Sequence, residues 1–201
     1  MKFNINEIPD PIAKNMVSTS VWKKECPVGI ERLKLLEVSH YNFVHTISTG
    51  QLIVLDKISQ AVLNIFEELL VLKFPINSIK TMDEFRGNDE LSMAANNSSC
   101  FNFRPINGTD KLSMHSYGLA IDINPVQNPF IMIDKTSNNI KVLPEQSVDF
   151  LNRHNKQEGM VEPIVEIFRK YGFSEWGGNW NTPIDYHHFQ VPRKAVAELI
   201  A

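Results

Sequence analysis

The chain has 201 residues, 43% hydrophobic and 21% charged, with a formal net charge of -3 and a pI near 6.1. Such a chain forms one domain more readily than two and buries a core of useful size. Mild acidity and the lack of a basic run argue against a nucleic-acid partner, and no apolar stretch approaches the ~20 residues needed to span a bilayer.

The start, MKFNINEIPDP, has no apolar core of the kind a secretory signal carries. Residues 1–29, with Pro9, Pro11, Pro27 and Gly29, read as a wrap over the surface. ERLKLLEVSHYNF, 31–43, begins as a short helix and becomes extended. The division is therefore a wrap over 1–44 and a core over 45–201. QLIVL after Gly50 is a strand. Asp56 is the N-cap of the clearest helix, about 57–72. Its apolar stripe is Ile58, Ala61, Val62, Ile65, Leu69 and Leu72, and Pro75 blocks continuation. That helix packs the core and carries no chemistry.

INSIKTM, 76–82, reads as a strand. The polar stretch that follows, to Lys111, has the length of a functional loop. FNF within it is a strand end. It sets Arg104 on a rigid element, as a functional group or as a solvated, ion-paired arginine. Cys26 and Cys100 allow one disulfide or two free thiols, and neither has zinc-type spacing. Further on, PFIMIDKTSNNIKVL is a weak hairpin with TSNN as its turn. Pro144 opens a helix to about 155, and a second helix, about 161–171, stops at Gly172. In WGGNW the glycines let backbone approach closely, while Trp176 and Trp180 either wall a cleft or fill core. A short last helix follows Pro192, with Ala195, Val196 and Leu199 facing inward.

The chemistry concentrates in SMHSYGLAIDIN, 113–124. GLAIDIN alternates as a half-buried strand, with Ala120, Asp122 and Asn124 on one face and Leu119, Ile121 and Ile123 on the other. His115 stands on the turn before it, so imidazole and carboxylate can share a metal. DYHHFQ, read as one strand, offers a third ligand in His188, with Asp185 three residues earlier. Neighbours on an extended strand face opposite ways, so His187 points elsewhere. Asp185 has no cation near it in sequence. Two imidazoles and a carboxylate leave one position of a tetrahedral zinc open, the catalytic arrangement.

S-x-H-x-x-G-x-A-x-D at 113–122, D-x-x-H-F at 185–189 and WGG-x-W at 176–180 are specific in combination. The chain resembles the zinc-dependent D-Ala-D-Ala carboxypeptidases, the VanY-like peptidases, and their relatives, the L-alanyl-D-glutamate endopeptidases of phage endolysins. The resemblance runs over roughly 45–190, through HTISTGQLIV, NNSSCFNFRPI, SMHSYGLAIDINPVQNPF and WGGNWNTPIDYHHFQ. It implies an α+β fold, a small antiparallel sheet flanked by helices as in the hedgehog signalling domain. It implies one Zn2+ on His115, Asp122 and His188, Asp185 as catalytic acid and base, and Arg104 steadying oxyanion or substrate. Ser113, Trp176 and Trp180 are the implied substrate contacts. The implied substrate is the peptidoglycan stem peptide, cut by a monomer in the cell envelope, periplasmic or secreted. Terminal D-Ala release is the first expectation. L-Ala-D-Glu cleavage is the enzyme alternative, and a wall-binding module with structural zinc is the non-enzyme one. Two departures stand out: Phe103 where relatives often have Cys, and Gln190 where many have Glu.

Overall fold

In the first 55 residues, apolar side chains crowd two nine-residue stretches, the second of them rich in β-branched residues. These pair over their full length. A computed structural model, describing residues 1–133 and 139–201, places them in one sheet. β1 (Phe3–Glu7) is followed by α1 (Asp10–Ser18), β2 (Leu33–Tyr41) and β3 (Ile47–Leu55). The sheet order is β1-β2-β3, all antiparallel, with Leu33 opposite Leu55 and Phe3 opposite Val38. Residues 1–44 therefore supply two strands of the sheet. β1 is mostly exposed, so ladder hydrogen bonds rather than burial hold it in place. β3 also starts three residues before Gly50.

α2 (Ser59–Val71) buries Val62, Ile65 and Leu69 as its stripe predicts, and Leu63 and Phe66 with them. Leu72 lies past its end and is exposed. Asp56 does not cap it. It begins a 3-10 turn, and its carboxylate is taken by Arg32, at 2.6 Å and 3.1 Å. The same guanidinium donates to the carbonyls of Leu199, Ile200 and Ala201, which ties the C-terminal end to the sheet.

The next elements are short. The strand expected over 76–82 shrinks to β4 (Ser78–Ile79). The stretch expected as a long loop holds α3 (Asp89–Ala94), capped by Asn88 Oδ1 accepting from Leu91 N, and β5 (Asn97–Ser98), parallel to β4. FNF is not strand. Its backbone is pinned instead, Phe101 N to the Ile53 carbonyl and Phe103 N to that of Val21.

β6 (Ala120–Asp122), β7 (Phe130–Ile133) and β8 (Ile140–Leu143) follow, the last two forming the expected hairpin. Its TSNN turn falls largely outside the described residues. The helix expected from Pro144 is a 3-10 turn ending at Phe150. A 3-10 turn then leads into α4 (Val165–Lys170). β9 (Glu175–Trp176), β10 (Ile184–Asp185), β11 (His188–Gln190) and α5 (Val196–Ile200) complete the chain. DYHHFQV is thus two strands, broken at Tyr186 and His187: β10 pairs with β7, while β11 joins a sheet of order β6-β11-β9. The result is a mixed α/β architecture of small sheets and short helices.

That last sheet positions the site. β11 is its central strand, and the outer edge of β6 is not bare, because Ser99 and Asp122 exchange backbone hydrogen bonds on the side away from β11. The strand expected to be half-buried is buried on both faces, Ala120 and Ile121 alike at 0% exposure. Ile121 and Phe189 fill the core, where Phe189 stacks on Phe168 at 3.9 Å. Asp122 and His188 face the other way, directly opposite one another across the ladder.

Gly118 sets the approach to this strand. Its φ is +67°, and a Cβ there would lie 2.7 Å from Leu55 N, at the end of β3. Gly118 O accepts from that same N–H. The left-handed backbone alone costs another residue roughly 1–2 kcal/mol. Gly118→Ala is therefore expected to lower the melting temperature by at least ~2–4 °C in thermal unfolding. An unchanged Tm would mean that the contact between this turn and β3 is loose.

Candidate metal centre

His115 sits in the 3-10 turn Met114–Tyr117, with Ser113 Oγ accepting from His115 N. That turn is stitched to the FNFR segment: Asn102 N donates to the His115 carbonyl, Arg104 N to Ser116 Oγ, and Ser113 N to the Arg104 carbonyl. His115 Nδ1 lies 2.5 Å from the Cys100 carbonyl oxygen. A carbonyl only accepts, so Nδ1 carries the hydrogen and Nε2 is left to ligate.

A ring nitrogen of His115, one of His188 and the two carboxylate oxygens of Asp122 converge here. His115 Nε2 is 3.1 Å from Asp122 Oδ2, His188 Nδ1 is 3.0 Å from Asp122 Oδ1, and the two ring nitrogens are 3.2 Å apart. All three residues are buried. Bonds of ~2.0 Å at tetrahedral angles put ligand atoms about 3.3 Å apart, close to the separation of the two ring nitrogens, and one ligand atom from each residue lies within 4.8 Å of the others. Among the described residues this is the one such group of three.

The electrostatics agree. Burial pushes the Asp122 carboxyl up, but the charges of His115 and His187 and hydrogen bonds from His115 and His188, when those rings carry a second proton in place of a metal, hold it well below the usual range. Burial pushes His188 down, and the Asp122 carboxylate more than reverses this. The Cys100 thiol is pushed well up by burial and by the Asp122 charge, so it stays protonated and serves through its backbone. Cys26 and Cys100 are unpaired.

His187 is a correction. It does not point away. The strand breaks at Tyr186 and His187, so strict alternation does not apply there. His187 Nε2 lies 3.0 Å from Asp185 Oδ1 and 3.9 Å from Asp122 Oδ2, and Nδ1 lies 2.7 Å from the Asn128 carbonyl. Burial alone would lower its pKa, but Asp185 and Asp122 raise it to about 10. Asp185 thus has a cation beside it, adjacent in space through the turn. The contact to Oδ1 is an ion pair without the alignment of a hydrogen bond, and that oxygen is buried with no hydrogen-bond donor among the described residues. Gly177 lets the backbone of Asp185 come close: a Cβ at 177 would lie 2.3 Å from the Asp185 carbonyl oxygen.

The remaining candidates divide. The Trp180 ring lies 5.4 Å from that of His188. Trp176 stacks toward Phe189 and donates its indole N–H to the Tyr186 carbonyl, on the core side. Arg104 pairs with Asp89 at 2.7 Å, while its Nε is buried without a hydrogen-bond partner among the described residues. Sequence reasoning missed the Cys100 carbonyl, Asn128, His187 and Glu175. Only the doubled histidine in DYHHFQ offered a signal for any of them.

Residues 107–191 match the model of a family described as D-alanyl-D-alanine carboxypeptidase. The segment holds His115, Asp122, Asp185 and His188, and starts just after Arg104. The resemblance read from the sequence is thereby shown over the second part of the stretch that carries it. No curated protein and no solved structure matches the chain.

The geometry separates the two adjacent histidines. His115→Ala or His188→Ala is expected to remove most bound zinc, while His187→Gln keeps about one ion per chain by elemental analysis. Loss of zinc from His187→Gln with retention in His188→Ala would reverse the assignment.

Proposed function

We propose that the protein is a single-domain zinc metallopeptidase that hydrolyses peptidoglycan stem peptides, releasing terminal D-Ala. The observation that carries this reading is the convergence of His115 Nε2, Asp122 and His188 Nδ1 with a further carboxylate, Asp185, which is outside the ligand group and held nearby by His187. A purely structural zinc site does not need an unligated carboxylate there. The family description of residues 107–191 supports the choice of bond. The ligand-bearing sheet of β6, β11 and β9 agrees with the hedgehog-like arrangement implied by the resemblance, and we read the fold so. We place the protein as a monomer in the cell envelope, periplasmic or secreted, where this substrate lies. Among the described residues no helix is long and apolar enough to cross a membrane.

His115, Asp122 and His188 would hold one zinc ion. Bound there, zinc lowers the pKa of water toward ~7 and polarises a carbonyl. The chain's own groups do the rest. Asp185 Oδ1 takes the proton of the attacking water and passes it to the leaving amine. His187, anchored on the Asn128 carbonyl, keeps that carboxylate in place. Arg104 offsets charge developing on the scissile carbonyl oxygen, and its unpartnered Nε leaves the guanidinium a donor beyond the pair with Asp89. Trp180 gives the peptide an apolar wall next to His188. We assign Ser113 to holding the His115 turn and Trp176 to backing Phe189, close to the peptide but building the site.

Mass spectrometry of muropeptides incubated with the zinc-loaded protein is expected to show loss of the terminal D-Ala. Cleavage between L-Ala and D-Glu would make it an endopeptidase, and no hydrolysis with zinc fully loaded would make it a wall-binding module. Asp185→Asn should keep zinc and fold while hydrolysis falls ~10²–10⁴-fold. Arg104→Ala should lower kcat/KM by roughly 10²-fold or more at unchanged zinc content. Wild-type turnover in Asp185→Asn would remove that carboxylate from the mechanism.

A further inference from the structure

We propose that Glu175 is a positioning residue for His188, acting through Gln190 to fix which ring nitrogen faces the metal site. The inference rests on the metal-centre reading above. It begins with strand geometry. On β11, Phe189 turns to the core, so His188 and Gln190 share the opposite face. The cross-strand neighbour of His188 in β6 is Asp122, and that of Gln190 in β9 is Glu175. The sheet therefore sets Glu175, Gln190, His188 and Asp122 in a continuous row.

Donor and acceptor rules then fix every proton in the row. An ionised carboxylate only accepts. Glu175 Oε2 lies 2.5 Å from the Gln190 amide nitrogen, which must be the NH2 end. That orients the amide oxygen toward His188, with Gln190 Oε1 2.9 Å from His188 Nε2. An amide oxygen also only accepts, so Nε2 carries the hydrogen. In a neutral ring Nδ1 is then bare, and Nδ1 is the atom beside Asp122 Oδ1 and His115 Nε2. Gln190 alone cannot enforce this. A free amide can turn over, present NH2 to Nε2 and move the ring hydrogen to Nδ1, where it blocks ligation. The Glu175 carboxylate makes that orientation unfavourable, because it would face the amide oxygen. Glu175 is itself half-exposed on a short edge strand, so replacing it opens no hole in the core.

Outer partners of ligating histidines typically affect metal affinity by ~10–100-fold. The test is the zinc dissociation constant, measured by competition with a chromophoric chelator, with the Tm of each metal-free variant as the folding control. Glu175→Gln is nearly isosteric but lets the Gln190 amide turn over, and is expected to weaken zinc binding by about 10-fold; Gln190→Leu removes the acceptor and should lose about 10–100-fold. The double variant Glu175→Gln/Gln190→Glu restores the pattern with the charge moved one position inward. Its Glu accepts from His188 Nε2–H and from the Gln amide, so affinity should return to within about threefold of wild type. A merely structural role for Glu175 does not predict that rescue. Wild-type affinity in Glu175→Gln, or a double variant no tighter than the single, would overturn the inference while leaving the metal centre standing. A wild-type chain that binds no zinc would remove the metal centre itself and this inference with it.

Discussion

Two imidazole nitrogens and a carboxylate are held about a hydrogen bond's length apart in a site largely withdrawn from solvent. Asp122 is 4% exposed, His115 2% and His188 6%. Each imidazole spends its N–H outward, His115 on the Cys100 carbonyl and His188 on Gln190, so the inward atoms are acceptors facing acceptors. An arrangement of this kind is unfavourable unless positive charge sits among them, as a proton or as a cation. The raised pKa of His188 and the lowered one of Asp122 express that demand in the metal-free protein. A dication meets it more completely, and the donor separations suit one.

The rest of the molecule serves to keep those atoms in place. Phe189 locks β11 to the core from the face opposite His188. Ser99 closes the free edge of β6, Gly118 lets the His115 turn sit on the end of β3, and Ser113 caps that turn. Asn128 has its side chain hydrogen-bonded to Ile123, Asn124 and Gly159, and its carbonyl receives His187. The N-terminal sheet and α2 make the hydrophobic body on which this small polar apparatus rests. Rigidity of the support explains why two-residue and three-residue strands suffice at the site.

The sequence made some of this legible and hid the rest, for physical reasons. The stripe of α2 could be read because one long helix must bury one face. The triad could be read because its residues lie in two compact segments of unusual composition. Strand ends and short elements could not, since β4, β5, β9 and β10 are two residues each and are fixed by tertiary pairing rather than by pattern. β1 left no hydrophobic signature because it buries little and is held by backbone bonds. His187 was misplaced because alternation was applied across a break in the strand. Glu175 was invisible because its importance depends on cross-strand register with Gln190, which no single segment encodes.

The claim on which all of this depends is that His115, Asp122 and His188 form one zinc site with an open position. X-ray absorption at the zinc edge of the metal-loaded protein tests it most directly. The account predicts one zinc per chain with a nitrogen and oxygen shell of about four atoms at ~2.0–2.1 Å, two of them imidazole nitrogens and none sulfur. A sulfur shell near ~2.3 Å, or a fully hydrated ion without imidazole scattering, would contradict it.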